Sequence, residues 1–126
     1  MGRVMGGADT SSERRRRYRL GMSAELVAAA YLMLKGYRVL ARRHKTPVGE
    51  VDLIVVRRGR VAFVEVKRRQ TMSEAEASIT PRQRRRVRRA AELWLARNRR
   101  YLGFEIGFDA LFLLPRRWPV HIENGL

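Results

Sequence analysis

The strongest constraint on this chain is a pair of β-branched runs, Val51–Val56 and Val61–Lys67, separated by Arg57-Arg58-Gly59-Arg60. Such runs around a glycine-containing turn predict an antiparallel hairpin. Both runs are nearly all apolar rather than alternating, so both faces of the hairpin are expected to be covered. Asp52 and Glu65 lie inside these runs, where a carboxylate is costly unless its charge is compensated. A turn of two residues (Arg58-Gly59) or of four (Arg57 to Arg60) gives one and the same register. Asp52 then stands opposite Glu65, Ile54 opposite Phe63, and Glu50 opposite Lys67, whereas an odd-length turn or a bulge would break the pairing. Alternation places Asp52, Glu65 and Lys67 on one face, with opposed Cβ atoms about 4.5–5.5 Å apart. Two like charges so placed destabilise a sheet unless a cation lies between them.

An oxygen-only carboxylate pair suits Mg²⁺ or Mn²⁺ rather than zinc. The chain has no cysteine, which excludes thiolate ligands, thiol nucleophiles and a disulfide framework. His44 and His121 are too far apart to show ligand spacing. A metal held by Asp52 and Glu65 would polarise a scissile phosphate and lower the pKa of an attacking water. Lys67 is placed to position or help deprotonate that water, or to offset phosphate charge.

Around the hairpin the pattern predicts the order α-β-β-β-α-β-β, an α/β domain with a central mixed sheet. Residues 1–18 are rich in Gly, Ser and Arg without apolar periodicity, so they are expected to be a disordered basic arm. Residues 19–126 form the single domain. A helix is predicted from Leu20 or Ser23 to Lys35, with Leu26, Ala30, Met33, Leu34 and Tyr37 at helical spacing and Gly36 as its stop. A short strand over Tyr37–Ala41 follows, then a basic loop from Arg42 to Gly49. Residues 68–79 read as a mobile polar loop. Thr80-Pro81-Arg82-Gln83 opens a second helix with a capping box. Its core stripe is Val87, Ala90, Ala91, Trp94 and Leu95, and its outer face carries Arg85, Arg88 and Arg89. Phe104–Leu114 and Val120–Ile122 are the last strands, the second at an edge.

The net charge of +16 on 126 residues attracts polyanions. Arginine outnumbers lysine, which favours bidentate phosphate contacts. Ribosomal and membrane-surface proteins carry such charge as well. The longest apolar run, Leu26–Leu34, is too short to span a membrane. The basic run Arg14–Arg17 is not followed by the hydrophobic region of a signal peptide. The expected location is the cytoplasm and the expected partner nucleic acid, with no membrane.

The motif Gly49-Glu50-Val51-Asp52-Leu53-Ile54, followed by Phe63-Val64-Glu65-Val66-Lys67, resembles the bacterial YraN family. The resemblance covers about residues 20–115, including Ala24-Glu25, Gly36-Tyr37, Thr80-Pro81-Arg82 and Phe108-Asp109. It implies a restriction-endonuclease-like fold with an Asp…Glu-x-Lys motif, similar by fold to archaeal Holliday-junction resolvases. The family pattern has Gly before the helical Glu, Lys where this chain has Gln83, and Arg where it has Gly107. These departures touch peripheral contacts and leave the acidic core intact.

Each candidate also has a bland explanation. Asp52, Glu65 and Lys67 would otherwise be a structural ion cluster, but one lysine under-neutralises two carboxylates. Glu25 suits a helix start through the macrodipole, yet it shares a face with Ala28, Ala29 and Leu32 that points inward. With the family match it is expected as a third acidic site residue. Glu50 reads as a partner of Lys67 or a surface acid. Gln83 lies one turn before Val87 and is directed towards the acidic cluster, although the capping box accounts for it nearly as well. Asp109 would organise an arginine or touch metal. Arg82, Arg85, Arg88 and Arg89, with Gln83, are the expected nucleic-acid contacts. Trp94 belongs to the core, and Trp118, beside Arg116 and Arg117, receives no role.

The resulting expectation is a Mg²⁺- or Mn²⁺-dependent phosphodiesterase acting on DNA, branched DNA included. One acidic site cuts one strand, so a two-fold junction would call for a homodimer. The rival readings are a silent nucleic-acid-binding module on the same fold and an RNA- or ribosome-associated protein.

Overall fold

The hairpin forms in the expected register. In the computed structural model, which describes residues 23–126, Arg57 pairs with Arg60, Val56 with Val61, Val55 with Ala62, Ile54 with Phe63 and Leu53 with Val64. Its two-residue turn has Arg58 and Gly59 at φ 48° and 77°, the left-handed pair of a type I′ turn whose twist matches that of the strands. The expected N-terminal arm lies outside the described residues.

The elements are α1 (Ala24–Leu34), β1 (Arg38–Thr46), β2 (Gly49–Arg57), β3 (Arg60–Arg68), α2 (Met72–Ala77), α3 (Pro81–Arg97), a 3₁₀ turn (Arg99–Tyr101), β4 (Glu105–Leu113) and β5 (Val120–Ile122). The five strands lie in the order β1-β2-β3-β4-β5. All neighbours are antiparallel except β3 and β4, which run parallel. The sheet is therefore mixed, as expected. Its parallel step is spanned by α2 and α3, a crossover of the kind that parallel strands require.

Both faces of the hairpin are covered. Leu53, Val55, Ala62, Val64 and Val66 pack with Ala28, Ala29 and Leu32 of α1. The alternate residues Ile54, Val56, Val61 and Phe63 pack with Val87, Ala90, Ala91 and Trp94 of α3. Opposite parity means opposite faces, so the sheet lies between two helices. Trp94 is core, its ring edge-on to Phe63 at 5.8 Å and stacked on Tyr101 at 5.4 Å.

Helix α1 ends in a Schellman motif. Gly36 N–H bonds Met33 O and Tyr37 N–H bonds Leu32 O, each at 3.0 Å, with Gly36 at φ 93°. That left-handed position is why glycine stands there. Tyr37 and Leu32 meet in the core. Helix α3 begins as expected: Thr80 Oγ1 accepts from Gln83 N–H at 3.2 Å, and Pro81 opens the first turn.

Three expectations are corrected. Leu26, Ala30, Met33 and Leu34 are exposed, Leu34 by 79%. Helix α1 is apolar nearly all round, and the face that docks is the small-residue one, which lets the helix approach the sheet closely. Strand β1 runs on to Thr46 through the segment expected as a loop. It is an edge strand, where exposed Arg42, Arg43 and Lys45 are tolerated and deter further pairing. The polar segment 68–79 contains the short helix α2. Thr71 caps it by accepting from Glu74 N–H at 3.1 Å, and the single buried residue Ala75 anchors it against Ala110 and Phe112.

Asp109 on β4 lies in a buried polar network. Its carboxylate accepts from Arg60 Nη1 and Nη2 at 2.8 and 2.7 Å, from Asn124 N–H at 2.9 Å, and from His121 Nε2 at 2.8 Å. Lys35 Nζ reaches the other imidazole nitrogen at 2.8 Å. An ammonium only donates and a carboxylate only accepts, so the neutral imidazole between them carries its proton on Nε2. Of the two roles open to it, Asp109 thus organises an arginine. A Cβ at Gly107 would collide with the Arg60 guanidinium, so the glycine makes room for the arginine across the strand.

Burial pushes the Asp109 carboxyl up, but the bonds from Arg60, His121 and Asn124 outweigh it and hold the group below the usual carboxylate range. A depressed carboxylate stabilises the fold above its unfolded pKa of about 3.9, and that stabilisation is lost as pH falls through the folded value. Asp109→Asn strands the buried Arg60 charge and is expected to cost about 3–5 kcal/mol. Urea unfolding followed by circular dichroism should show this loss near neutral pH. On acidification below about pH 4 the parent should lose its advantage over the variant.

Candidate functional site

The sheet opens where the acids lie. In an antiparallel ladder every second pair exchanges hydrogen bonds. After Leu53 and Val64, the next donor on β3 is Val66 N–H, whose expected acceptor is Val51 O. It donates instead to Asp52 Oδ2 at 2.8 Å. The pleat is broken on the other side as well. Arg43, which stands across from Asp52 between the pairs Arg42–Leu53 and His44–Val51, adopts φ 50°. Val51 and Ile54, of opposite parity, consequently face the same α3 cluster.

The common face expected for Asp52, Glu65 and Lys67 is therefore modified. Asp52 lines a cleft on the α1 side with Ser23, Glu25, Arg43, Lys45 and Glu50, about 500 Å³ in volume. Glu65 lines a smaller recess on the α3 side, about 180 Å³, with Glu50, Gln83, Arg86 and Val87. The two carboxyls remain near enough at the sheet's open end that each alters the proton affinity of the other. Glu50 borders both recesses. Gly49, just before it, packs so close to α3 that a Cβ would collide with the Arg86 carbonyl.

Burial raises the Asp52 carboxyl above its ordinary value, partly offset by the Val66 N–H, the bond with Glu65 and the charge of Lys67. Burial also raises Glu65, and the neighbouring Asp52 raises it further, against the pull of Lys67, to about 7. Lys67 Nζ lies 3.2 Å from Glu65 Oε2. Its partner is thus Glu65, while Glu50 sits across from Lys45. With its amide oxygen towards Lys67, Gln83 accepts from Nζ at 2.5 Å and donates to Ser78 O at 2.9 Å. The opposite amide orientation instead closes the capping box on Thr80 N–H at 3.3 Å. Gln83 therefore reaches the acidic cluster, as its position on the stripe implied.

Glu25 is buried on the inward face of α1. Its Oε2 is 3.1 Å from Arg42 Nη1 and its Oε1 3.9 Å from Arg43 Nε, while Oε1 lacks a hydrogen-bond donor. It shares the Asp52 cleft but is tied to two arginines. Among the described residues no three His, Cys, Asp or Glu side chains gather as a metal cluster, so the donor set is the pair Asp52 and Glu65. Such a pair fits Mg²⁺, which uses one or two carboxylates and fills its other positions with water and phosphate oxygens.

Arg82, Arg85, Arg88 and Arg89 are exposed on α3, and Arg88 lies over the Phe108 ring at 4.3 Å. Sequence reasoning missed Arg42 and Arg43, assigned to a loop, and Arg86, which is half-buried beside Glu65. Position 86 falls one residue before Val87 on the stripe, the one signal that could have found it.

A mixed five-stranded sheet between helices, with an Asp…Glu-x-Lys cluster at its open end, places this chain in the restriction-endonuclease-like class. A family model, Uncharacterised protein family UPF0102, matches residues 24–113. The chain belongs to this family, which is the YraN family of the sequence resemblance. It is 47% identical over 125 residues to the UPF0102 protein bll0669 of Bradyrhizobium diazoefficiens, covering 97% of this chain and 94% of the relative. It is 52% identical over 119 residues to a UPF0102 protein of Methylorubrum extorquens, covering 94% and 92%. A third relative, mlr4633 of Mesorhizobium japonicum, is 50% identical over 115 residues, covering 91% and 92%. Among the described residues no helix is long and apolar enough to cross a membrane.

In protein stripped of divalent ions, Glu65 should titrate near pH 7 rather than 4.5. The folded state holds this proton more tightly than the unfolded chain. Stability should therefore fall as pH rises from 4.5 to about 7. Carbon-13 NMR of the side-chain carboxyl reads the titration, and Glu65→Gln should remove it and flatten that pH dependence. A midpoint near 4.5 would rule out the influence of burial and Asp52 on Glu65.

Proposed function

We propose that this protein is a Mg²⁺- or Mn²⁺-dependent phosphodiesterase acting on DNA, branched DNA included. The observation that supports this most is the meeting of Asp52 and Glu65, with Lys67 Nζ 3.2 Å from Glu65, where the hairpin ladder gives way. When bound, the metal would polarise the scissile phosphate and lower the pKa of a coordinated water. Asp52 and Glu65 would hold it. Asp52, fixed by Val66 N–H, is oriented before any ligand arrives. Lys67, held by Glu65 and Gln83, would position the attacking water or offset phosphate charge. Glu25 would set the flank of the cleft through Arg42 and Arg43. Arg82, Arg85, Arg88 and Arg89 would take DNA phosphates along the exposed face of α3. A two-fold junction would engage two copies of the chain.

A second reading, a nucleic-acid-binding module that does not cleave, is favoured by one observation. Lys67 Nζ lies 3.2 Å from Glu65 Oε2, so the protein's own ammonium already part-neutralises the cluster. The two readings separate on branched, linear and single-stranded DNA incubated with Mg²⁺ or Mn²⁺ beside EDTA controls. Metal-dependent cleavage is expected on at least one substrate. Asp52→Ala should reduce it to background, and Lys67→Ala should lower it by about 10²–10⁴-fold, both with DNA binding retained. Cleavage at the parent rate by purified Asp52→Ala would overturn the proposal, and binding without cleavage on every substrate would favour the second reading.

The helix face has its own test. Each phosphate neutralised by the protein contributes about −0.9 to the slope of log K against log salt. Replacing Arg82, Arg85, Arg88 and Arg89 with Gln should flatten the slope measured by fluorescence anisotropy by about 0.9 for each phosphate no longer neutralised. An unchanged slope would place the DNA elsewhere.

A further inference from the structure

Trp118 is 74% exposed, which leaves most of a large aromatic face towards solvent. It lies in the loop between β4 and β5, next to Pro119 and two residues after Arg116, whose φ is 62°. The prolines at 115 and 119 fix backbone torsions at either end of this segment. One neighbour of the indole is the Tyr31 ring, tilted by 39° with centroids 6.3 Å apart. The contact orients the indole without burying it. Beside it is a recess of about 310 Å³, lined by Val27, Arg68, Arg69, Leu113, Arg117 and Pro119 among others, and the described residues of its wall include no acid. Arg68 and Arg69 directly follow Lys67 on the chain, at the end of β3.

We infer that Trp118 is a stacking platform for an unpaired nucleobase, with Arg68, Arg69 and Arg117 receiving the flanking phosphates. The occupant follows from the combination of groups. An exposed aromatic face held by prolines offers stacking that tolerates any base, and the surrounding guanidiniums supply backbone contacts. The inference rests on the nucleic-acid reading above and adds a substrate class: DNA with a single-stranded segment at the edge of a duplex, as at a flap or branch. One such base would lie on the indole with its phosphates at the recess, whereas a fully paired end would leave Trp118 empty.

Binding in EDTA tests this without cleavage. A blunt hairpin duplex and the same duplex with an oligo(dT) overhang are titrated by fluorescence anisotropy and tryptophan emission. The overhang should bind more tightly and quench emission, and Trp118→Phe should keep most of the affinity while losing the quench. Trp118→Ala should weaken overhang binding by about 5- to 150-fold and leave blunt-duplex binding unchanged. Because the residue is exposed, the variants should retain the parent circular dichroism spectrum. Equal affinities of parent and Trp118→Ala for the overhang, or an equal loss on both DNAs, would overturn this inference alone. Absence of binding to either DNA would overturn it together with the nucleic-acid reading. Quenching by phosphatidylserine vesicles but not by the overhang would overturn it in favour of a membrane surface.

Discussion

Two carboxyls at the end of a hairpin buried on both faces create an electrostatic problem, and the local structure is arranged around it. The Asp52 side chain takes the Val66 N–H that the backbone ladder would otherwise use. Arg43 turns left-handed across from it, and the residues around Asp52 lose strict alternation. The same break parts the sheet end into two recesses with Glu50 on both rims. A regular ladder would have kept the acids on one flat face. The interrupted one opens the strand end into a cleft while the core behind it stays packed.

The two polar clusters of this fold differ in how fully they are satisfied. At Asp109, two guanidinium nitrogens, an imidazole and a backbone N–H converge on one carboxylate, leaving its charge well compensated. At Asp52 and Glu65, one ammonium serves two acids, and burial beside Asp52 pushes Glu65 up to about 7. The first cluster ties β3, β4, β5 and the end of α1 together, and Glu105 Oε2 lies 3.5 Å from the remaining Arg60 Nε. The second is short of positive charge, and this imbalance is what the proposed cation site rests on. Arg60 and Gly107 illustrate how the structural cluster is built. The Arg60 guanidinium reaches across from β3 into space that only a glycine at 107 leaves free.

Much of this was legible in the residues. The β-branched runs and the turn determined the hairpin register, and Thr80-Pro81-Arg82-Gln83 determined where α3 starts. The α3 stripe was readable because arginines fill its opposite face. Helix α1 gave no such contrast, since Leu26, Met33 and Leu34 are as apolar as the residues that dock, and the inward position of Glu25 was the better guide. The extension of β1 was hidden by its charge, and α2 by its reliance on one alanine. The broken pleat at Asp52 and the reach of Arg60 to Asp109 depend on contacts between strands, which no local pattern encodes.

The parallel step between β3 and β4 has a consequence for the order of assembly. The bond that fixes Asp52 closes 14 residues, whereas the Arg60–Asp109 pair closes 49. The longer closure costs about 1 kcal/mol more in chain entropy, and it also waits for a two-helix crossover to be traversed. The meander of β1, β2 and β3 is thus the low-contact-order part of the chain, the part that forms readily, and β4 with β5 docks onto it as the slow, non-local event. The chemistry-bearing hairpin would then exist early as an open edge, with the buried arginine–aspartate clasp as the late step that seals it. A weakened clasp would expose that edge to pairing with a second chain before it exposed anything else.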